Sequence, residues 1–138
     1  MKISLTRRYR FAASHRLHLS ALSETENERI YGKCNSPYGH GHNYVVEVTI
    51  SGPVDPDTGM IANLSDLDPF VQREVIEVFD YKYLNEDVAE FETIVPTTEN
   101  VCRDIYRRLA KFPAAQLERV RIEETSKNSF EYSGEHGG

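Results

Sequence analysis

The chain has 138 residues, and its 16 lysines and arginines against 22 aspartates and glutamates give a formal net charge of -6. This acidic balance argues against a nucleic-acid partner, because the phosphate backbone is bound by clustered cations. Hydrophobic residues make up 39% and charged residues 28%, which is typical of one globular domain over residues 1–138 and not of a membrane protein. No secretory signal is visible, and Cys34 and Cys102 form no disulfide framework, so we expect a cytoplasmic location.

Two stretches near the N-terminus alternate apolar and polar residues. Residues 3–13 keep one apolar face, interrupted by Arg7, and predict a first strand. Residues 43–50 repeat the pattern and predict a second strand. Residues 20–39, which lie between them, are polar and predict a long loop, and such loops in compact domains often carry function.

The middle of the chain changes from turn residues to helical spacing. Residues 52–61 begin with a dense set of Gly, Pro and Asp and predict a hairpin. Residues 67–79 carry apolar side chains at i, i+3 and i+4, which predicts an amphipathic helix capped by Ser65 or Asp68.

The last third of the chain predicts a second helix and two further strands. The helix begins at Thr97 or Thr98 and runs to residue 112. Its cations form either a solvated face, which we favour, or a binding patch; they are Arg103, Arg107, Arg108 and Lys111. Alternation at residues 119–123 and 130–132 predicts the two strands. The element order predicts an α+β fold, with a four-stranded antiparallel sheet and both helices packed on one face.

Three histidines have the spacing of a metal site. His40 and His42 open the second strand, and side chains at i and i+2 of an extended chain point to the same side. His15 ends the first strand and would lie beside them if the two strands pair antiparallel. Three imidazoles with an open position describe a catalytic zinc site, whereas the alternative is a polar strand entry without a metal. We expect His18 and His136 at the surface.

One cysteine and three acidic residues allow both a chemical and a structural interpretation. Cys34 follows Lys33, a cation that would favour a reactive thiolate, but an inert free cysteine is the alternative. Asp80 lies near the end of the first predicted helix, and it is either a buried acid or a solvated residue at the helix end. Glu123 and Glu124 alternate along a strand, so only one of them can face a pocket.

Six segments of the chain together resemble the 6-pyruvoyl tetrahydropterin synthase family, which is related to the 6-carboxytetrahydropterin synthases. The segments are ASHRL at 13–17, YGKCN at 31–35, GHGHNY at 39–44, DTGM at 57–60, TTEN at 97–100 and ET at 124–125. They occur in order and at matching spacing between about Leu5 and Glu135. The resemblance implies the tunnelling fold (T-fold), with four strands and two helices in each subunit. It also implies trimers that pair into a homohexamer, with the pocket between subunits.

The resemblance assigns roles to residues of the histidine cluster and its surroundings. It implies that His15, His40 and His42 bind Zn²⁺, that Cys34 abstracts a proton, and that Glu124 anchors the pterin ring. A carboxylate suits the last task, because it can accept bidentately from the paired N–H donors of a pterin.

The resemblance also implies the substrate and further contacts with it. The family acts on 7,8-dihydroneopterin triphosphate and eliminates triphosphate to give 6-pyruvoyl tetrahydropterin, the reaction of a carbon–oxygen lyase acting on phosphates. Thr97 and Thr98 are then further pterin contacts, and Arg16 and Lys33 are candidate triphosphate contacts. Mg²⁺ is a candidate companion ion of the triphosphate.

The chain departs from the family at Asp80–Tyr81, where the family has an Asp-His pair that completes a relay with the cysteine. An unperturbed tyrosine has a pKa of about 10, so Tyr81 is a poor proton acceptor and at best a donor. Three hypotheses follow: Tyr81 donates the proton in a slower synthase, the enzyme performs a related reaction, or the relay is inactive and the protein only binds a pterin.

The alternative functions differ in product and in residue pattern. The 6-carboxytetrahydropterin synthases of queuosine biosynthesis usually have three residues between the cysteine and the His-x-His motif, whereas residues 35–39 make five here. Variants that cleave the dihydroneopterin side chain often replace the cysteine, which this chain retains as Cys34. A non-catalytic, zinc-stabilised pterin-binding module is the alternative outside the enzyme class.

Overall fold

The computed structural model describes residues 2–135 and contains one five-stranded sheet in the order β3-β1-β2-β4-β5. The strands are β1 (Lys2–His15), β2 (His40–Pro53), β3 (Lys82–Tyr83), β4 (Gln116–Thr125) and β5 (Asn128–Tyr132). Neighbours pair antiparallel except β3, which pairs parallel with β1. The α+β class is confirmed, but the predicted count of four strands is one too low, because a two-residue strand is too short to show alternation. His136 lies outside the described residues.

The helical segments cover the regions between the strands. They are α1 (Glu24–Tyr31), α2 (Leu64–Val71), α3 (Glu77–Phe79), α4 (Leu84–Asp87) and α5 (Thr98–Leu109), with a π turn at Gln72–Ile76 and 3₁₀ turns at Gly32–Asn35 and Ala89–Glu92. The first predicted helix is therefore α2 and α3 joined by the π turn. Its cap is Asn63, whose side chain accepts from the Ser65 amide at 2.9 Å, so the prediction of Ser65 or Asp68 was wrong. The second predicted helix is α5, and Thr97 caps it.

The predicted loop over residues 20–39 contains α1 and the first 3₁₀ turn. The helix was missed because its eight residues bury one side chain, that of Asn27, and therefore lack an apolar stripe. Ser23 caps the helix by accepting from the Glu26 amide at 3.1 Å. Asn27 ties the helix to the preceding segment through both the amide and the carbonyl of Leu19, at 2.8 and 3.0 Å.

The predicted hairpin over residues 52–61 is not formed. β2 ends at Pro53, and residues 60 and 61 belong to no strand. The Asp55 side chain instead accepts from the amides of Asp57 and Thr58 at 2.7 and 3.1 Å. The turn residues therefore serve a local side-chain-capped turn, a use that the composition of the segment does not distinguish from a hairpin.

One face of the sheet and the helices share a single hydrophobic core. The core includes alternate residues of β1, β2 and β4 together with buried residues of α2, α3 and α5, among them Phe11, Tyr44, Val46, Ile122, Leu67, Phe79, Val101 and Ile105. Cys102 of α5 is buried in it, as its place beside the apolar stripe predicts. His15 belongs to the same face of β1 as Phe11, so the core face carries the histidines at its end. No helix within residues 2–135 has the length and apolarity needed to cross a bilayer.

Both edges of the sheet leave backbone groups without a neighbouring strand. β1 pairs with β3 only at Ala13 and Ser14, so residues 2–12 have one strand neighbour, β2, within the described chain. β5 forms the opposite edge. Unpaired edges of this kind are templates for pairing with another chain.

Arg7, the break in the apolar alternation of β1, joins the sheet to α2. Its Nε and Nη2 donate to the two carboxylate oxygens of Asp68 at 3.1 and 2.8 Å. The Tyr9 hydroxyl donates to the same carboxylate at 2.7 Å. These hydrogen bonds hold the pKa of Asp68 below its ordinary value of 3.8.

The substitution Asp68→Asn is expected to lower the free energy of unfolding by no more than about 1 kcal/mol near neutral pH, because the pair is partly exposed. Since the folded pKa of Asp68 is lowered, its contribution is present above the ordinary value of 3.8 and is lost as pH falls through the folded pKa. Urea denaturation of both proteins at neutral and at acidic pH measures this. A difference between them that persists at acidic pH would contradict the assignment.

Candidate functional site

The pairing of β1 with β2 brings the three predicted histidines together. His15 lies opposite His40, and Ala13 lies opposite His42, so the three imidazoles share the core face of the sheet. Ring centroids are 5.1 Å apart for His15 and His42, and 4.8 Å apart for His40 and His42. Gly39 lets the chain before His40 run close to the backbone of His15. Its φ of 82° favours glycine, and a Cβ there would lie 3.3 Å from the His15 carbonyl oxygen.

His15 is held in one tautomer. It is fully buried, and its Nδ1 lies 2.8 Å from the Pro96 carbonyl oxygen. Because a carbonyl can only accept, Nδ1 carries the proton and Nε2 presents a free lone pair. Burial lowers the pKa of His15, which favours this neutral form. A metal-binding histidine is typically oriented in this way, with its second nitrogen tied to a carbonyl.

Cys34 approaches the same point from the 3₁₀ turn. Its Sγ and the ring nitrogens of His15 and His42 that face it all lie within 4.8 Å of one another. The turn is docked on the segment after β1, since Leu17 N donates to the Cys34 carbonyl at 2.7 Å and Arg16 Nε donates to the Asn35 carbonyl at 3.0 Å. The cluster of closest ligand atoms therefore contains Cys34 in addition to two of the predicted histidines.

The expected influence of Lys33 on the thiol is not observed. Burial raises the pKa of Cys34, and the nearby Glu124 carboxylate raises it further. Lys33 is exposed, because the 3₁₀ turn directs it outward while it directs Cys34 inward. Sequence adjacency was therefore a poor guide to the charge that the sulfur experiences.

Glu124, and not Glu123, faces the cluster. A bulge between Glu123 and Thr125 interrupts the pairing of β4 with β5. The Glu124 carboxylate lies 4.0 Å from His42 Nε2 and accepts from the Thr98 hydroxyl. Thr98 is thus placed at the site, whereas the Thr97 side chain caps α5 by accepting from the Asn100 amide at 3.2 Å.

The two candidate triphosphate contacts line one cavity. Arg16 and Lys33 share a cavity of about 440 Å³ with the carboxylates of Glu24 and Glu28. These acidic neighbours reduce the positive potential of the cavity.

Asp80 and Tyr81 lie at the edge of β1, where both contact the backbone of Ala12. Asp80 Oδ1 accepts from the Ala12 amide at 2.9 Å, and Tyr81 N donates to the Ala12 carbonyl at 2.6 Å. Tyr81 has a φ of 59° and its residue is 88% exposed. It lines a cavity of about 530 Å³ whose wall includes His42 but not Cys34. Asp80 is therefore a half-buried acid that anchors the backbone of β1.

Several groups at the site were not predicted. Asn85 accepts from the Arg16 amide at 2.8 Å and donates to the Arg16 carbonyl at 2.7 Å, which fixes the backbone directly after His15. Asn35 donates to the Leu17 carbonyl at 3.0 Å and lies 3.0 Å from His18 Nδ1, so His18 is half-buried and not fully exposed. A single asparagine in a loop gives no sequence signal for such long-range contacts.

Three buried polar atoms at the site have no hydrogen-bond partner within residues 2–135. They are His15 Nε2, His42 Nε2 and the Tyr44 hydroxyl. Unpartnered buried groups are rare in proteins, because their desolvation is costly. Two imidazole nitrogens and a thiol sulfur form a donor set that suits zinc. The residues present therefore fit a divalent ion of this kind.

The substitution Tyr44→Phe is expected to leave the free energy of unfolding unchanged or to raise it by about 1 kcal/mol, because the lost hydroxyl is buried and unpartnered. The ring, which stacks on Phe11 with centroids 4.9 Å apart, is retained. Thermal and urea denaturation of the metal-free protein measure the effect. A clear loss of stability would show that the hydroxyl is bonded in solution.

Comparison with known proteins agrees with this geometry. The family described as 6-pyruvoyl tetrahydropterin synthase matches residues 4–135. The 6-pyruvoyl tetrahydrobiopterin synthases of Poecilia reticulata and Homo sapiens are 48% and 46% identical over 132 residues, which is 95% of this chain and 90% and 91% of theirs. The solved 6-pyruvoyl tetrahydropterin synthase of Caenorhabditis elegans is 40% identical with a TM-score of 0.91, covering 97% of this chain and 96% of its own.

These matches extend over nearly the whole chain and agree in both sequence and fold. They confirm the resemblance that the six sequence segments indicate, including the T-fold. The chain belongs to the 6-pyruvoyl tetrahydropterin synthase family.

Proposed function

We propose that the protein is a zinc-dependent lyase that converts 7,8-dihydroneopterin triphosphate to 6-pyruvoyl tetrahydropterin with loss of triphosphate. The observation that carries the proposal is the convergence of Cys34 Sγ with the nitrogens of His15 and His42, all within 4.8 Å. A thiol beside two oriented imidazoles supplies both a base and an ion site, which is what proton abstraction next to a polarised oxygen needs.

The roles that we propose for the individual residues are those of the family pattern, and their positions in the site support them. His15, His40 and His42 would hold the ion, which supplies Lewis-acid polarisation of the substrate's side-chain oxygens when bound. Cys34 accepts the carbon-bound proton. Glu124 accepts from the ring N–H and amino groups of the pterin.

The substrate contacts around this centre are proposed from the same geometry. Thr98 orients the Glu124 carboxylate through its hydroxyl. Thr97, which caps the same helix, is a further pterin contact. Arg16 and Lys33 contact the triphosphate, with Mg²⁺ as its companion ion. A pterin held in this way would place its side chain toward Cys34.

The position of Tyr81 supports an assembled active form. Tyr81 is exposed and the cavity that it lines does not include Cys34, so a role as proton donor fits the site of a neighbouring subunit better than that of its own chain. The free edges of β1 and β5 are suited to strand pairing between copies. We therefore propose a homohexamer, a dimer of trimers, that works in the cytoplasm.

The first test is an anaerobic incubation of the zinc-loaded protein with 7,8-dihydroneopterin triphosphate, with every product resolved by mass spectrometry and Cys34→Ala run in parallel. We expect 6-pyruvoyl tetrahydropterin from the parent protein and none from the variant. A carboxy product would assign the protein to the 6-carboxytetrahydropterin synthases of queuosine biosynthesis. A shortened side chain would assign it to the cleaving variants.

A non-catalytic pterin-binding module is the second candidate, and Tyr81 is the observation that favours it. A phenol is a weaker proton acceptor than an imidazole near neutral pH, so the relay of the family is incomplete. This candidate predicts tight pterin binding with intact substrate in the same incubation. Turnover that Cys34→Ala abolishes would eliminate it.

A further inference from the structure

Arg16 lines two cavities, so a triphosphate that contacts it can extend in either of two directions. One cavity is the one that Arg16 shares with Lys33, Glu24 and Glu28. The other, also of about 440 Å³, lies between the segment after β1 and the segment before α5. We call it the His18 cavity, and it is lined by residues 16, 18–20, 83, 85 and 91–96.

We propose that the His18 cavity is the subsite for the terminal phosphates of the substrate, with the Arg16 guanidinium and the His18 Nε2–H as donors. This rests on the proposed function, because it states where the triphosphate end of the same substrate lies. The triphosphate then extends from Arg16 toward His18 and away from the carboxylates of Glu24 and Glu28.

One buried side chain, that of Asn35, orients both donors. Its Nδ2 must be a donor, because it lies 3.0 Å from the Leu17 carbonyl, which can only accept. The same Nδ2 lies 3.0 Å from His18 Nδ1, so Nδ1 accepts and the proton of the neutral imidazole is on Nε2. The Asn35 carbonyl oxygen accepts from Arg16 Nε at 3.0 Å. Asn35 therefore leaves the Nε2–H of His18 and the Nη atoms of Arg16 for a ligand.

The positive charge of Arg16 is available to an anion. No ion pair within residues 2–135 includes Arg16. Its backbone is held on both sides by the Asn85 side chain, which accepts from the Arg16 amide at 2.8 Å and donates to the Arg16 carbonyl at 2.7 Å. A guanidinium on a fixed backbone suits phosphate oxygens, because its planar set of N–H donors can bind them bidentately.

The other groups of the two cavities favour the His18 side. The His18 cavity has one carboxylate, that of Glu92, and its donors include the hydroxyls of Ser20, Tyr83 and Thr93. The other cavity has two carboxylates, each of which repels phosphate. Its additional cation, Lys33, is exposed, whereas His18 is half-buried and already oriented. An oriented donor loses less conformational freedom when a ligand binds.

The His18 cavity adjoins the centre that acts on the substrate's side chain. Pro96 lines the cavity, and its carbonyl oxygen lies 2.8 Å from His15 Nδ1. Arg16 directly follows His15 in the chain. The triphosphate ends the side chain on which this centre acts, so its subsite must adjoin the centre, as the His18 cavity does.

Calorimetric binding of neopterin and neopterin triphosphate to the zinc-loaded protein tests the subsite without turnover, because both are unreactive oxidised pterins. His18→Ala should weaken binding of neopterin triphosphate by about tenfold or more, the effect of one hydrogen bond to a charged group, and leave neopterin binding unchanged. His18→Gln, which keeps an N–H donor near the position of Nε2, should recover most of the loss. Unchanged binding of neopterin triphosphate by His18→Ala, or an equal loss for both ligands, would overturn the proposal.

Lys33→Ala is the matched control for the direction of the triphosphate. It removes the cation of the other cavity and should weaken neopterin triphosphate less than His18→Ala does. A larger loss for Lys33→Ala would place the terminal phosphates in the other cavity and overturn the proposal.

Inorganic triphosphate distinguishes a substrate subsite from a separate anion site. It should compete with neopterin triphosphate and bind more weakly to His18→Ala. Simultaneous binding of both ligands would overturn the proposal. The parent protein separates this inference from the proposed function. Failure of neopterin to bind would reject both, whereas neopterin binding with a gain from the triphosphate that does not depend on His18 would reject the subsite alone.

Discussion

Replacing His15 with alanine is expected to weaken Zn²⁺ binding by more than about 100-fold and to abolish pterin turnover. Loss of a partner behind a ligand already costs about 10–100-fold in metal affinity, and this substitution removes the ligand itself. The Pro96 carbonyl fixes the orientation of the His15 ring and therefore of its Nε2. A mobile side chain in its place would lose conformational entropy on binding the metal. Chelator competition measures the affinity, and the mass-spectrometric product assay measures turnover.

His18→Ala is the matched control for this prediction. His18 is the half-buried histidine that lies 3.0 Å from the Asn35 amide, and it should leave zinc binding intact. Zinc should also stabilise the parent protein against heat, by about 2.7 kcal/mol when free zinc is 100 times its Kd. His15→Ala should show no such gain. Undiminished zinc affinity in His15→Ala would remove His15 from the ligand set.

Replacing Tyr81 with phenylalanine is expected to lower kcat by about 10²–10⁴-fold, the usual contribution of a positioned acid or base. The substitution removes only the hydroxyl, so KM should change little. The free energy of unfolding should change by no more than about 0.5 kcal/mol, because substitutions at exposed positions rarely have a larger effect. The left-handed backbone at φ 59° carries an aromatic side chain in both proteins, so its strain should not change. Steady-state kinetics of the two proteins measure the effect.

Two companion proteins sharpen the interpretation of Tyr81. Tyr81→His introduces the imidazole of the family pattern and should raise kcat above that of the parent; histidine also tolerates a left-handed backbone well. Inactive Cys34→Ala subunits and weakly active Tyr81→Phe subunits, unfolded together and refolded as mixed assemblies, should show more activity than either variant alone if Tyr81 serves a neighbouring site. An unchanged kcat in Tyr81→Phe would exclude Tyr81 from the reaction and leave the proton transfer to water.

The positions and apolar faces of β1 and β2 could be predicted because alternation is a periodic signal. Alternation located β1 and β2, and their antiparallel pairing placed His15 opposite His40. Features set by single contacts could not be predicted. The two-residue β3 has no period, and α1 buries one side chain, so neither produces a pattern in the sequence.

At the site, too, periodic features could be predicted from the sequence, whereas features set by single contacts could not. Alternation indicated that only one of Glu123 and Glu124 can face a pocket, but the bulge that orients Glu124 has no signal in the residue types. Lys33 was expected to act on Cys34 because the two are adjacent, whereas burial dominates the pKa of the thiol. The Pro96 carbonyl is a backbone group 81 positions from His15, and no residue type marks it in the sequence.

The hydrogen bond between His15 and Pro96 couples the ion site to α5, which begins two residues later. If seating of this helix holds the carbonyl that orients the imidazole, then metal occupancy must in turn favour the seated helix by the same free energy, because linkage is reciprocal. Core residues such as Val101 and Ile105 of α5 would thereby influence how tightly the site binds an ion. Metal affinity would then depend on helix packing as well as on the ligands.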